Sequence, residues 1–155
     1  MAAYVQDALA DRAAGTALPF VISESGGGDV VGSTRLHSWS AAARQVEIGY
    51  TWIHPGWQRT FVNTAAKFLL LQHAFESLAC SRVEFKATEE NAPSIRALER
   101  LGARPDRVLM NHFGRGYPRP RNLRVFRILQ TEWPDIKADL QGKLAAPTST
   151  RRRNQ

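Results

Sequence analysis

The hydrophobic period of the chain changes near its middle, from two residues to between three and four. From Val46 to Trp52 the large apolar residues stand at every second position, which is typical of a strand with one buried face. From Asn63 to Leu78 they recur every three or four residues, as in a helix that packs one face on a sheet. The recurring residues are Ala65, Phe68, Leu71, Phe75 and Leu78. A strand that runs directly into such a helix predicts a parallel crossover in the middle of the fold.

The segments on either side of this junction predict antiparallel strands and shorter helices. Before it we expect a helix over 3–14 that ends at Gly15, and then a meander of three strands joined by short turns. The predicted strands of the meander are Ala17–Ser23, Val30–Trp39 and Val46–Trp52. After the junction the predicted elements are a strand Arg82–Ala87, a helix Pro93–Leu101 closed by Gly102, a hairpin of Val108–Phe113 with Leu123–Leu129, and a helix Glu132–Leu144. This order predicts an α+β fold with a mixed central sheet: an antiparallel N-terminal meander, a β-α-β-α-β-β core and a C-terminal helix.

Length and composition limit the class of protein. The 155 residues, 43% of them hydrophobic, predict one globular domain over 1–144, followed by a basic disordered tail over 145–155. No apolar run is long enough to cross a bilayer. The N-terminus shows no secretory signal, so we expect a cytoplasmic protein. The one cysteine, Cys80, excludes an internal disulfide and is interpreted as a buried apolar residue, and four scattered histidines make a metal site unexpected.

The positive charge of the chain is concentrated in two places. The formal net charge is +7, and the segment from Arg104 to Arg127 alone holds seven arginines against one aspartate. Three further arginines stand at 151–153. Such a distribution is compatible with a solvated basic surface or a small anionic ligand, and less so with a protein that binds RNA through this hairpin.

Two stretches hold the candidate ligand-binding residues. The junction from Trp57 to Thr64 begins the long helix, and a helix N-terminus can hold a pyrophosphate on its free N–H groups. Thr60, Asn63 and Thr64 could equally be simple helix caps. Asn91 and Ser94 begin the next helix, where either could be a cap or a ligand contact, and ligands of open sheets bind near such strand ends.

Taken together, these blocks resemble the GNAT superfamily of N-acetyltransferases, and within it the branch of the RimJ/RimL protein-alanine acetyltransferases. The resemblance covers residues 17–140, and its specificity lies in the order and spacing of the blocks. The blocks are Glu47-Ile48-Gly49-Tyr50-Thr51-Trp52, Gln58 to Thr64, Asn63-Thr64-x-x-Lys67 with its helix, Arg82 to Lys86, Asn91-x-x-Ser94 and Leu98-x-x-x-Gly102-Ala103.

The resemblance implies transfer of the acetyl group of acetyl-CoA to a primary amine, on a protein N-terminus or a small molecule, by direct attack. It implies that Glu47 is the general base, although Glu47 could instead be an exposed strand residue without a role. It places a strand bulge near Trp52–His54 and a hydroxyl, that of Ser94, near the thioester sulfur. The implied coenzyme contacts are Trp52, Ile53, His54, Gln58, Arg59, Thr60, Phe61, Val62, Asn63, Thr64, Asn91 and Ser94.

The sequence also departs from the family pattern. Arg59 and Phe61 stand where small residues are common, and 1–16 supply one helix where relatives begin with a strand and further helices. An inactive GNAT-like binding or regulatory domain is therefore the alternative function. The strand Ala17–Ser23 would be an apolar sheet edge, which predicts either a homodimer that covers it or a sequence internal to a longer reading frame.

Overall fold

The computed structural model describes residues 2–25, 28–114 and 118–146, which form one six-stranded sheet with four α-helices. The strands are β1 (Ala17–Ser23), β2 (Val30–Ser40), β3 (Gln45–Ile53), β4 (Arg82–Thr88), β5 (Arg104–His112) and β6 (Arg121–Leu129). The helices are α1 (Ala2–Ala13), α2 (Val62–Gln72), α3 (Ala92–Leu101) and α4 (Trp133–Ala145).

The strand order is β1-β2-β3-β4-β6-β5, and every neighbouring pair is antiparallel except β3 and β4. This confirms the predicted meander and the parallel crossover, because α2 leaves the end of β3 and returns the chain to the start of β4. The same crossover brings the C-terminal ends of β3 and β4 to one edge of the sheet. The first residues of α2 and α3 therefore follow neighbouring strand ends.

The main core lies on one face of the sheet, under α2, α3 and α4. Val46, Ile48 and Phe85 from the sheet pack there against Leu71 of α2 and Leu140 of α4, all of them almost fully buried. Cys80 belongs to the same core, and burial raises the pKa of its thiol, as expected for an apolar core residue. The opposite face carries charged side chains and is covered in part by α1.

Two predicted elements differ from the structure by more than two residues at one end. The helix predicted to run to Leu78 ends at Gln72 and continues as a π turn, His73–Ser77, which keeps Phe75 stacked on Trp133 with ring centroids 5.5 Å apart. Strand β5 begins at Arg104 rather than Val108. Its first half has no apolar alternation because Arg104 and Arg107 form ion pairs instead of packing in the core.

Strand β1 is an edge strand, as predicted, and its side chains Leu18 and Val21 are 49% and 66% exposed. Pairing with a second copy through this edge stays a prediction, which light scattering at micromolar concentration tests. Gly26 and Gly27 of the predicted turn, and the tail from residue 147, lie outside the described residues. Within the described ranges, no helix is long and apolar enough to cross a membrane.

Candidate functional site

A gap opens between the two central strands. β3 and β4 pair only from Gln45 to Glu47 with Arg82 to Glu84, although β3 continues to Ile53 and β4 to Thr88. Beyond Glu47 the strands diverge, and among the described residues the backbone of β3 on that side has no strand partner. Residues 50–52 are exposed even though β3 lies in the interior of the sheet order. An unpaired strand edge of this kind can bind an extended chain through backbone hydrogen bonds.

The bulge in β3 lies at Tyr50 and Thr51. Ser33 of β2 pairs with Trp52 and Arg35 pairs with Gly49, so two residues of β3 stand opposite the single residue Thr34. Tyr50 has a φ of +51°, a value that few non-glycine residues adopt. The predicted position at Trp52–His54 is therefore wrong by about two residues. The extra residue is accommodated where β3 has already lost β4 as a neighbour.

Helix α1 is tied to this bulge by a cluster that the sequence analysis missed. The Tyr4 hydroxyl donates a hydrogen bond to the Tyr50 carbonyl oxygen (2.8 Å). The buried Arg35 guanidinium lies between the rings of Tyr4 and Tyr50, 4.6 and 4.5 Å from their centroids, and pairs with Asp11. Arg35 thus contacts Tyr4 near the start of α1, Asp11 near its end, and Tyr50 in the bulge. These contacts fix the position of α1 relative to the bulge.

The three residues after the bulge have different surroundings. Ile53 is buried in a small cluster with Val31 and Val62. The backbone N–H of His54 donates to the Val31 carbonyl (2.8 Å), and its ring accepts from Gly56 N–H (3.2 Å). Trp52 and His54 are both exposed, and the Trp52 indole is the larger apolar surface that these three residues offer to a ligand.

The loop before α2 is held by its own side chains. Gln58 Nε2 donates to the Ile53 carbonyl (3.1 Å), and the Thr60 hydroxyl donates to the Trp57 carbonyl (2.6 Å) while accepting from Val62 N–H (3.3 Å). Thr60 therefore accepts from the first N–H of α2, in part as the sequence allowed, whereas Asn63 and Thr64 lie within the first turn of the helix and are not its caps. Arg59 has a φ of +60°, which is the left-handed conformation for which glycine is the usual residue.

The N-terminus of α2 borders a small cleft. The first helical hydrogen bond runs from Ala65 N–H to the Phe61 carbonyl (2.8 Å), so the N–H groups of Asn63 and Thr64 have no helical acceptor. Asn63 and Thr64 line a cleft of about 170 Å³ between α2, α3 and α4, together with the cations Arg100 and Lys143. Free N–H groups, the positive end of the helix dipole and two cations favour an anion at this position.

Helix α3 begins with a side-chain cap. Asn91 Oδ1 accepts a hydrogen bond from Ser94 N–H (3.2 Å), and Pro93 occupies the first turn. Ser94 itself is half-buried. Gly102 ends the helix with a φ of +93°, as predicted for a left-handed terminal residue. The cap function of Asn91 is confirmed, and its amide N–H groups remain available.

Glu47 lies where the gap begins. The exposed strand residue that the sequence allowed as an alternative is wrong, because Glu47 is only 6% exposed. Its Oε2 lies 2.6 Å from Lys86 Nζ across the gap, and its Oε1 lies 3.5 Å from His37 Nε2. Burial lowers the pKa of His37, and its Nε2 has no hydrogen-bond partner among the described residues. A buried carboxylate that faces a neutral imidazole can accept a proton.

Lys67, like the cluster around Arg35, was not identified as functional from the sequence. Its side chain is 6% exposed, and its Nζ donates to the Thr51 hydroxyl (2.5 Å). Burial lowers the pKa of Lys67 to about 7. The sequence signal was a lysine in a run of otherwise apolar residues on the inner face of α2.

The arginines of the C-terminal hairpin are mostly paired within the protein. The described ion pairs join Arg104 and Arg127 to Glu132, Arg107 to Glu84 and Asp106, and Arg121 to Glu90. Over the described part of the chain, no group of histidine, cysteine, aspartate or glutamate could hold a metal ion.

Comparison with known proteins assigns the fold to a family. The family model for the acetyltransferase (GNAT) domain matches residues 1–104. Among functionally curated proteins, none matches. A GCN5-related N-acetyltransferase from Brucella melitensis is 31% identical with a TM-score of 0.80, over 90% of this chain and 64% of that chain.

Two further solved structures are similar. A protein from T. thermophilus, described as an acetyltransferase, is 31% identical with a TM-score of 0.82, over 92% of this chain and 72% of that chain. RimJ from Mycobacterium smegmatis, solved with CoA-disulfide, is 25% identical with a TM-score of 0.77, over 91% of this chain and 66% of that chain. On the family match and on these identities, the chain belongs to the GNAT acetyltransferase family.

Proposed function

We propose that the protein is an acetyl-CoA-dependent N-acetyltransferase that moves the acetyl group to a primary amine by direct attack. The observation that carries this proposal is the gap between β3 and β4, with the free N–H groups of α2 beside it. A gap that offers an unpaired strand edge suits the extended amide-containing arm of coenzyme A. The helix start suits its pyrophosphate.

The predicted coenzyme contacts take distinct roles in this proposal. The N–H groups from Arg59 to Thr64 that are free of internal bonds hold the pyrophosphate, while Gln58 and Thr60 keep the loop in shape through the hydrogen bonds described above. Trp52, Ile53 and His54 contribute backbone and surface along the unpaired part of β3. Asn91 and Ser94 approach the arm from the start of α3.

The chemistry requires a proton acceptor and a site for negative charge. An ammonium has no free electron pair, so the acceptor amine must first lose a proton, and Glu47 at the head of the gap is the proposed base. The thioester oxygen gains negative charge during attack, and backbone N–H groups at the Tyr50–Thr51 bulge are the proposed donors. The Ser94 hydroxyl is the proposed hydrogen-bond donor to the leaving sulfur.

The alternative is an inactive GNAT-like binding or regulatory domain, which is suggested by Phe61 in the pyrophosphate loop and by the single helix that residues 1–16 supply. RNA binding through the basic hairpin is disfavoured because its described arginines are largely neutralised by carboxylates. The acceptor class, whether a protein N-terminus or a small amine, and a cytoplasmic location remain part of the proposal. No partner beyond acetyl-CoA and the acceptor is required.

Isothermal titration with acetyl-CoA tests the proposed function. We expect saturable binding in the micromolar range, typical of enzyme substrates. Absence of binding at millimolar ligand by a folded protein contradicts the proposal. Binding without any turnover favours the inactive domain.

Arg59→Gly separates backbone shape from charge in the pyrophosphate loop. A glycine adopts the positive φ of residue 59 without strain, which stabilises the folded state by about 1 kcal/mol. It also makes the unfolded chain more flexible, which destabilises the folded state by a similar amount. The melting temperature should therefore hardly change. The dissociation constant for CoA should rise about tenfold because a guanidinium–phosphate contact is lost. Arg59→Lys, which keeps the charge, should show a smaller rise. Equal or tighter binding by Arg59→Gly would remove Arg59 from the proposed contacts.

A further inference from the structure

The buried amine of Lys67 extends from α2 towards the two diverging strands. Its Nζ is bonded to the hydroxyl of Thr51, a bulge residue on the unpaired stretch of β3. On the β4 side it lies 5.8 Å from the centroid of the Phe85 ring. Thr51 is exposed while Lys67 is buried, so the Thr51 hydroxyl marks the border between the amine and the open gap.

The surroundings of Lys67 leave most of its hydrogen-bonding capacity unused. An ammonium has three N–H donors, and one acceptor, Thr51 Oγ1, is found among the described residues. Burial alone lowers its pKa, and no carboxylate of the described chain forms an ion pair with it. Lys67 also lines the cleft of about 170 Å³ at the start of α2. The other charged residues of that cleft, Arg100 and Lys143, are cations as well. Glu47 belongs to the opposite face of the sheet, where Lys86 pairs with it.

An unpaired buried cation destabilises a fold, and the position would suit a leucine or methionine better. A ligand oxygen in the gap would supply the missing acceptor. Charge that develops on such an oxygen would be stabilised strongly there, because few waters compete in a buried site.

We propose that Lys67 is a further catalytic residue, whose Nζ donates a hydrogen bond to the thioester carbonyl oxygen of acetyl-CoA bound in the gap. This inference rests on the proposed function. As the amine nitrogen bonds to the carbonyl carbon, an electron pair moves onto the oxygen beside Lys67. It returns when the C–S bond breaks and the thiolate leaves. The first proton of the ammonium has passed to Glu47 before attack, the second passes from the acetylated nitrogen to the departing thiolate, and Lys67 keeps its own protons throughout.

Lys67→Met tests the proposal, since methionine has a similar length and no charge. We expect kcat to fall about 100-fold or more, the usual loss when one donor to a developing oxyanion is removed. The dissociation constant of CoA, which has no thioester carbonyl, should change by less than about twofold. Lys67→Arg, which keeps a charged donor, should recover part of the lost kcat. A kcat within about threefold of wild type overturns the proposal, as does an equal weakening of CoA and acetyl-CoA with kcat unchanged.

Stability supplies a readout that separates this role from a structural one. The pKa of Lys67 is about 7 when folded and near 10.5 when exposed, so below pH 7 the folded protein carries the full penalty of the buried charge. Between those two values the unfolded chain binds more protons, and the stability of the wild type should rise with pH. Lys67→Met should therefore melt several degrees higher than wild type near pH 6, and the difference should shrink towards pH 9. A variant that melts lower and loses kcat only in proportion to unfolded protein indicates a structural lysine and overturns the proposal.

The two proposals fail in different ways. If wild type turns over and Lys67→Met does so equally well, the acetyltransferase function stands and the role of Lys67 falls. If wild type binds neither CoA nor acetyl-CoA, the proposed function itself fails and the role of Lys67 with it.

Discussion

Glu47→Gln is expected to lower kcat by about 10²–10⁴-fold, with little change in the affinity for acetyl-CoA. The glutamine keeps the size of the side chain and a hydrogen-bonding oxygen, but it cannot accept a proton from the attacking amine. Glu47 is buried where the gap begins, and its two oxygens face Lys86 and His37. Ser94→Ala should cost far less, because a thiolate leaves without full protonation. The measurement is steady-state turnover from acidic to alkaline pH with saturating substrates.

Glu84→Gln is the matched control for this prediction. Glu84 is the direct partner of Glu47 on β4, is equally buried, and is paired with Arg82 and Arg107. Both variants lose a buried ion pair, so both should melt at lower temperature. Only Glu47→Gln should lose kcat in the fraction that is folded. Equal turnover of the two variants would place the base elsewhere.

Asn63→Asp is expected to weaken CoA binding at least tenfold while leaving the fold as stable or more stable. A carboxylate in the first turn of α2 stabilises the helix by about 0.3–1 kcal/mol through the helix dipole. The same charge repels a pyrophosphate bound to the N–H groups of Asn63 and Thr64, and two like charges about 4 Å apart near a surface interact by a few kcal/mol. Titration calorimetry measures the affinity, and thermal melting measures the stability.

Gln6→Glu on α1 is the control for the change in net charge. Gln6 is exposed on a helix that contacts the opposite face of the sheet, so this variant should bind CoA as wild type does. If Asn63→Asp also binds CoA normally, the pyrophosphate does not lie on the start of α2. A loss of affinity shared by both variants would indicate general electrostatic attraction instead of a defined site.

The order of strands and helices was predictable because it depends on the spacing of apolar residues within each segment. The change from period two in 46–52 to period three or four after Asn63 predicted β3, α2 and the parallel crossover, which are observed. The ends of elements were less predictable, since tertiary contacts decide them. The π turn at His73–Ser77 holds Phe75 against the ring of Trp133, a residue more than fifty positions away in sequence.

The parts of the candidate site that one continuous segment forms were predictable from the sequence. The parts that depend on contacts between distant segments were not. The loop from Gln58 to Thr64 could be recognised as one block, and of its three candidate caps only Thr60 accepts a hydrogen bond from the start of α2. The position of the bulge depends on the register between β2 and β3, which no local pattern determines. The burial of Lys67 and the contacts of Tyr4 with Tyr50 depend on how α2 and α1 pack on the sheet, so they emerged only from the structure.

Release of free thiol from acetyl-CoA on addition of a panel of primary amines tests the central claim most directly. The panel should contain peptides with a free N-terminal alanine or serine, free amino acids, polyamines and aminoglycosides, with Glu47→Gln measured in parallel. We expect thiol release that depends on at least one amine, that saturates with acetyl-CoA, and that is nearly absent in Glu47→Gln. Thiol release no faster than the uncatalysed background with every amine, from a folded protein that binds acetyl-CoA, would contradict the claim.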